Sequence, residues 1–167
     1  MADRPAAGPV SEPRGPGVAL DRGDSVTVHL VTGPPCSGKS TLVARLAKLE
    51  DPVLDFDTVC TELDGRPGWD HDRRTQTRAE AVMTRRIRQL RSHAGDAYVI
   101  RCAPDRAQRR DLARHLHATV WLLDPGKDVC LARARADRRP ASTISGIAYW
   151  YRVYRPAPCD TAPPELV

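Results

Sequence analysis

The segment from Gly33 to Ser40, Gly-Pro-Pro-Cys-Ser-Gly-Lys-Ser, has the residue types and the spacing of a phosphate-binding loop. Glycines let such a loop curl so that backbone N–H groups point at a polyphosphate, and the positive end of the following helix adds attraction. We expect Lys39 to reach the terminal phosphates and the Ser40 hydroxyl to bind Mg²⁺. The residues expected to hold the nucleotide are Gly33, Pro34, Pro35, Cys36, Ser37, Gly38, Lys39, Ser40 and Thr41.

A phosphate-binding loop must lie between a buried strand and a helix, and both flanking segments fit. Residues 26–31, Val-Thr-Val-His-Leu-Val, are β-branched and almost continuously apolar, as in a strand buried on both faces. After the loop, apolar side chains recur at helical spacing at Leu42, Val43, Leu46 and Leu49. The sequence therefore predicts the order strand, loop, helix.

Two carboxylates follow the loop at the end of a predicted second strand, residues 53–57. The carboxyl end of that strand is expected beside the loop, where an acceptor hydroxyl would approach the terminal phosphate. Asp57 there could take the proton of the hydroxyl as a general base. Alternatively, Asp57 caps a helical turn that begins at residue 58. Asp55 is a rival for the base, or a residue that holds a water molecule bound to Mg²⁺.

A cluster of arginines lies in a predicted break between two helices. Arg133, Arg135, Arg138 and Arg139 precede Pro140. Planar guanidinium groups on a mobile segment can close over a phosphoryl group in transfer and stabilise its charge. The cluster is thus interpreted as a lid, with Arg138 or Arg139 reaching the reaction. A solvated surface turn is the alternative.

The remaining pattern alternates strands and helices, which predicts an α/β fold: a parallel sheet of four or five strands covered on both faces. Further strands are expected at 97–102 and 119–123, and helices at 73–93, 104–115, 128–136 and 142–155. Residues 58–72 are expected to form a loop or a brief helical turn. We expect a flexible leader over residues 1–24, one domain over residues 25–155 and a flexible tail over residues 156–167.

The overall composition favours a globular protein with an anionic partner. The chain of 167 residues has a formal net charge of +5, which suits a nucleotide or a nucleic acid. Its five cysteines are scattered without metal-ligand spacing, as in reduced intracellular thiols. No apolar run approaches the length of a membrane span. We expect a cytoplasmic protein without membrane contact, and the sequence leaves the oligomeric state open.

Four segments together resemble a known group of enzymes: GPPCSGKST at 33–41, VLDFD at 53–57, LDPGKDVCLARARADRRP at 123–140 and AYWYRVY at 148–154. They are similar to the small P-loop kinases of the polynucleotide kinase, zeta-toxin and chloramphenicol phosphotransferase group. More narrowly, they resemble phage-type P-loop kinases and AAA-family ATPase-like proteins. The resemblance implies a three-layer P-loop NTPase fold with a helical lid. Polynucleotide kinases carry an aspartate at the end of the third strand, whereas this chain has Arg101 and Cys102.

The resemblance also implies roles for individual residues. Asp57 corresponds to the general base, Lys39 and Ser40 to the ligands of ATP and Mg²⁺, and Arg138 or Arg139 to the lid arginine. The implied reaction is transfer of the γ-phosphoryl group of ATP to a hydroxyl.

The acceptor stays open at this point. A nucleic acid could accept at a 5′-hydroxyl or a hydroxymethylated base, and the arginines between residues 73 and 91 favour this class. A nucleoside, a sugar or an antibiotic is the alternative. We expect Asp57, His71, Arg73 and Arg74 to contribute to the acceptor pocket. A non-kinase ATPase is the competing function, although neither 97–102 nor 119–123 ends in the Asp-Glu pair that a motor ATPase needs.

Overall fold

The computed structural model describes residues 26–67 and 69–164, so the predicted leader lies outside the described residues. Within them, five parallel strands form one sheet in the order β2-β3-β1-β4-β5. This confirms the predicted parallel sheet, with the larger number of strands. The strands are β1 (Val26–Thr32), β2 (Val53–Asp55), β3 (Gly95–Arg101), β4 (Thr119–Leu122) and β5 (Asp160–Thr161). The helices are α1 (Lys39–Leu46), α2 (Phe56–Asp64), α3 (Arg73–Gln89), α4 (Arg106–Leu116), α5 (Lys127–Ala136) and α6 (Ala141–Val153), with a 3₁₀ turn at Leu90–Ser92.

The position of β1 at the centre of the sheet explains why its sequence is apolar on both faces. It pairs with β3 on one side and with β4 on the other. Leu30 and Val31, which point to opposite faces, are both fully buried. The sheet thus places the loop that follows β1 at the middle of its carboxyl edge, where ligands of parallel α/β sheets bind.

Helices cover the two faces of the sheet and give three layers. On one face α2, α3 and α4 pack against the sheet through a core that includes Leu30, Val59, Met83, Val99 and Leu116. On the other face α1 packs through Val31, Leu42, Val43, Tyr98 and Ile100. Helices α5 and α6 form a further cluster through Cys130, Ala134 and Ile147, and Cys36 of the loop packs against it.

The segment after β2 differs from the prediction. The strand ends at Asp55, two residues earlier than expected, and α2 begins at once and runs for nine residues instead of a brief turn. The helix cap is Asp55, whose carboxylate accepts a hydrogen bond of 3.1 Å from the backbone N–H of Asp57. The expected capping role of Asp57 is therefore wrong: this residue lies in the first turn of α2.

Part of the segment predicted to be a flexible tail belongs to the sheet. Asp160 and Thr161 form β5 and pair with β4. The Asp160 carboxylate accepts hydrogen bonds of 2.7 and 2.8 Å from the guanidinium of Arg109, a residue that is fully buried. Because a buried guanidinium needs a paired carboxylate, this contact fixes β5 to the rest of the domain.

Across 26–67 and 69–164, every helix is too short or too polar to cross a membrane.

Candidate active site

The loop between β1 and α1 has the curled backbone that its glycines predict. Gly33 and Gly38 have φ angles of 150° and 101°, which side chains rarely allow. A Cβ on Gly33 would also lie 2.2 Å from the carbonyl oxygen of Leu123, at the end of β4. Glycine is therefore required at Gly33, since the loop passes directly against the neighbouring strand.

The side chains of the loop are arranged as a phosphate site requires. The Lys39 Nζ donates hydrogen bonds of 3.1 and 2.7 Å to the carbonyls of Gly33 and Pro34, so its ammonium lies over the curl of the backbone. The hydroxyl of Ser37 is buried and has no hydrogen-bond partner among the described residues. A nucleotide phosphate would supply both groups with acceptor oxygens, so the residues present fit this ligand.

The predicted magnesium ligands lie together. The Ser40 hydroxyl donates a hydrogen bond of 2.7 Å to the carboxylate of Asp55. In residues 26–67 and 69–164, no group of three His, Cys, Asp or Glu side chains could enclose a metal ion. Mg²⁺ takes one or two protein ligands and completes its shell with phosphate oxygens and water, so Ser40 and Asp55 have the donor types that it needs.

The Asp57 carboxylate lies in the cleft beside the loop, and its pKa is raised to about 6. The largest cause of the raised pKa is displacement of water by the cleft walls, although the side chain still reaches solvent. The negative charge of Asp55 raises the pKa further. The charges of Lys39, His71 and Arg139 oppose the shift. A carboxylate with this pKa is ionised at neutral pH and is a stronger base than an ordinary aspartate.

The two candidate lid arginines occupy different places. Arg139 lines the cleft, and its guanidinium lies 3.7 Å from the centre of the exposed Trp69 ring. It also approaches Asp137 at 3.5 Å, and its Nε is buried without a partner in the described part of the chain. Arg138 is exposed, has a φ of 52° and is absent from the lining of the cleft. Of the pair, only Arg139 lines the cleft.

A family model described as AAA domain matches residues 28–147, which is more than half of the chain. The chain belongs to the AAA domain family. A search of curated proteins gave no match to it.

Solved structures agree on the fold of this AAA domain. A candidate kinase from Chloroflexus aurantiacus shares 21% identity and a TM-score of 0.54, over 83% of this chain and 85% of its own. A chain of the Pnkp1/Rnl/Hen1 RNA repair complex shares 12% identity and a TM-score of 0.58, over 81% of this chain but only 48% of its own. Shikimate kinase from Acinetobacter baumannii, in complex with shikimate, shares 14% identity and a TM-score of 0.53, over 85% and 86%. The AAA domain therefore has a P-loop kinase-like fold.

Of the four residues predicted for the acceptor pocket, Asp57 lines the cleft of this AAA domain and the other three do not. The His71 ring lies under α2, where its Nδ1 is 2.9 Å from the Asp64 carboxylate, and only 4% of its side chain is exposed. Arg73 and Arg74 are exposed and are absent from the cleft lining. The first turns of α3 contribute Gln76 and Glu80 to the cleft instead.

Several contacts in the cleft of the AAA domain were not predicted from the sequence, among them that of Arg133, a residue of the predicted lid cluster. Arg133 of α5 donates hydrogen bonds of 2.9 and 3.3 Å to the carbonyls of Ser37 and Cys36, so it braces the phosphate-binding loop from the lid. Trp69 lines the same cleft, as does the pair formed by Glu80 and Arg101. The departure at Arg101 from the polynucleotide kinase pattern was the available signal for that pair.

Proposed function

We propose that this AAA domain protein transfers the γ-phosphoryl group of ATP to a hydroxyl acceptor. One observation carries the proposal: Asp57, with its pKa of about 6, shares a cleft of about 1220 Å³ with Lys39 and Arg139. A nucleotide-binding module without transfer would need no base at this point. The kinase-like fold agrees with the proposal and leaves the acceptor undefined.

In the proposed reaction, Asp57 accepts the hydroxyl proton of the acceptor. The acceptor oxygen forms a bond to the γ-phosphorus, the bond between that phosphorus and the β,γ-bridging oxygen breaks, and ADP leaves. Mg²⁺ held by Ser40, with Asp55 behind it, would neutralise part of the phosphate charge. Lys39 holds the β- and γ-phosphate oxygens at the loop.

The lid residues supply positive charge to the cleft and hold the phosphate-binding loop in position. Arg139 points into the cleft from the segment between α5 and α6, where its guanidinium can stabilise charge on the γ-phosphoryl oxygens during transfer. Arg133 holds the loop carbonyls in place, so the loop and the lid helix keep a fixed relation. Together they position the phosphoryl group and reduce its exposure to water.

The deciding experiment incubates the protein with Mg²⁺ and γ-labelled ATP over a panel of single-stranded DNA, RNA, nucleosides and sugars. We expect label on one class of acceptor, and loss of that label in Asp57→Asn. Release of free phosphate alone, unchanged by Asp57→Asn, would assign the protein to the non-kinase ATPases instead.

A further inference from the structure

One set of cleft residues outside the phosphate-binding loop has a distinctive charge pattern, and we call it the acceptor wall. It is formed by Phe56, Asp57, Trp69, Gln76, Glu80 and Arg101, all of which line the cleft. If the proposed function holds, this wall contacts the group that receives the phosphoryl. Its chemistry therefore reports the acceptor class.

The guanidinium of Arg101 is paired with a carboxylate on this wall. It donates hydrogen bonds of 2.9 and 2.6 Å to the two carboxylate oxygens of Glu80. Its flat face lies 4.8 Å from the centre of the Phe56 ring. In such a two-bond pair the carboxylate of Glu80 offsets the charge of Arg101, which weakens its attraction for a second anion.

The other cations that line the cleft lie outside the acceptor wall: Lys39 and Arg45 on α1, Arg133 on α5 and Arg139 in the segment after α5. Lys39 and Arg133 bind loop carbonyls, and Arg139 is held between Asp137 and the Trp69 ring. On the acceptor wall within the described residues, the carboxylate of Asp57 thus has no cation of its own. A phosphate or carboxylate on the acceptor would lie beside that negative charge.

Three exposed arginines of α3 cannot change this balance, because they face away from the cleft. A helix turns about 100° per residue. Gln76 and Glu80 line the cleft, so Arg78 lies about 160° to 200° around the helix from them. Arg74 and Arg85 are exposed on the same far side and are absent from the cleft lining. Arg73 lies on the cleft side of the helix, but it too is absent from the lining of the cleft.

We propose that the acceptor is a small, uncharged hydroxyl compound with an apolar ring face, and not a nucleic acid or a carboxylate. The ring face would lie against the exposed part of Trp69 and beside Phe56, and the amide of Gln76 would bond a second hydroxyl. One hydroxyl reaches Asp57 and receives the phosphoryl group. This inference rests on the proposed function and specifies its substrate.

Matched pairs of probes test the charge preference. The pairs are thymidine with thymidine 3′-phosphate, methyl glucoside with methyl glucuronide, and methyl shikimate with shikimate. Each pair differs by one anionic group, and binding to the full chain is measured by calorimetry, with and without a non-hydrolysable ATP analogue. We expect at least one neutral member to bind, and every scaffold that binds to favour its neutral member at least about tenfold. A preference for any anionic member overturns the inference. So does the absence of binding by every neutral member at 10 mM, a detection limit that corresponds to a binding free energy of roughly −3 kcal/mol.

Releasing Arg101 gives the second test. In Glu80→Gln the guanidinium loses its ionic partner, so the preference should shift toward the anionic probe at least about tenfold. The matched control is Glu62→Gln, which removes the partner of Arg86 at 2.6 Å outside the cleft and should leave the preference unchanged. An unchanged preference in folded Glu80→Gln would refute the role of the pair. Because binding is read without turnover, absence of phosphoryl transfer would refute only the proposed function.

Discussion

Replacement of Asp57 by asparagine tests the proposed base with two separate readouts. The substitution keeps the size of the side chain and removes its proton affinity. If Asp57 takes the acceptor proton, the variant should bind ATP normally and lose at least about 100-fold in turnover, the scale of a general-base effect. Label transfer from ATP to the acceptor found in the panel measures this loss.

The pKa of about 6 sets the pH dependence of the wild-type protein. The ionised form of Asp57 is the active base, so kcat/KM should level off above pH 7 and fall about tenfold per pH unit below 6. Asp57→Asn should lose this acidic limb. A wild-type profile that stays flat down to pH 5 would contradict the assignment, as would an asparagine variant that keeps the limb.

Stability gives the second readout, with a defined sign. The pKa of Asp57 rises on folding from 3.8 to about 6, so between these values the folded state binds more protons than the unfolded state. The contribution of Asp57 to stability is therefore lost as pH rises through about 6. Asp57→Asn should raise the thermal midpoint at pH 7.5 and leave it unchanged near pH 3.5. The control is Asp111→Asn, an exposed carboxylate on α4, which should change neither readout.

Three further substitutions test other contacts. Lys39→Ala should abolish ATP turnover while circular dichroism and thermal unfolding show a retained fold. The control Lys48→Ala should match the wild type in turnover. Full turnover in Lys39→Ala would contradict the phosphate-loop assignment. Trp69→Ala should lower kcat about 2- to 30-fold, because the cation–π contact that holds the lid arginine is worth about 0.5–2 kcal/mol. Tyr149→Ala, which removes a similar contact outside the cleft, should leave kcat unchanged, and an equal loss in both variants would argue against a specific role of the lid. Arg109→Met should cost about 3–5 kcal/mol in urea unfolding, since it leaves a buried carboxylate unpaired; a cost below about 1 kcal/mol would refute that account.

Local patterns made the loop and the central elements predictable. The phosphate-binding motif carries its own backbone requirements, and the apolar run before it has to be a buried strand. Helices α3, α4, α5 and α6 follow from their periodicity and their flanking proline and aspartate residues. These signals lie within one element, so no knowledge of tertiary contacts is needed to interpret them.

The features that the sequence did not yield depend on distant partners. β5 has only two residues and lies in a proline-bearing segment, and it is held by Arg109, which is 51 positions away along the chain. The contact between Trp69 and Arg139 and the pair of Glu80 with Arg101 likewise join separate segments. For the same reason, the outward direction of Arg74, Arg78 and Arg85 on α3 became clear only once the cleft side of the helix was known.

The position of Lys39 has a consequence for how tightly any anion can be held. Its ammonium already satisfies two hydrogen-bonding sites within its own loop, at the carbonyls of Gly33 and Pro34. A phosphate must compete with these carbonyls, so the measured affinity is the difference between two sets of bonds. A weakly charged anion gains too little from that exchange to displace them, whereas a polyphosphate gains enough. The lysine thereby discriminates between ligands by the charge density they bring.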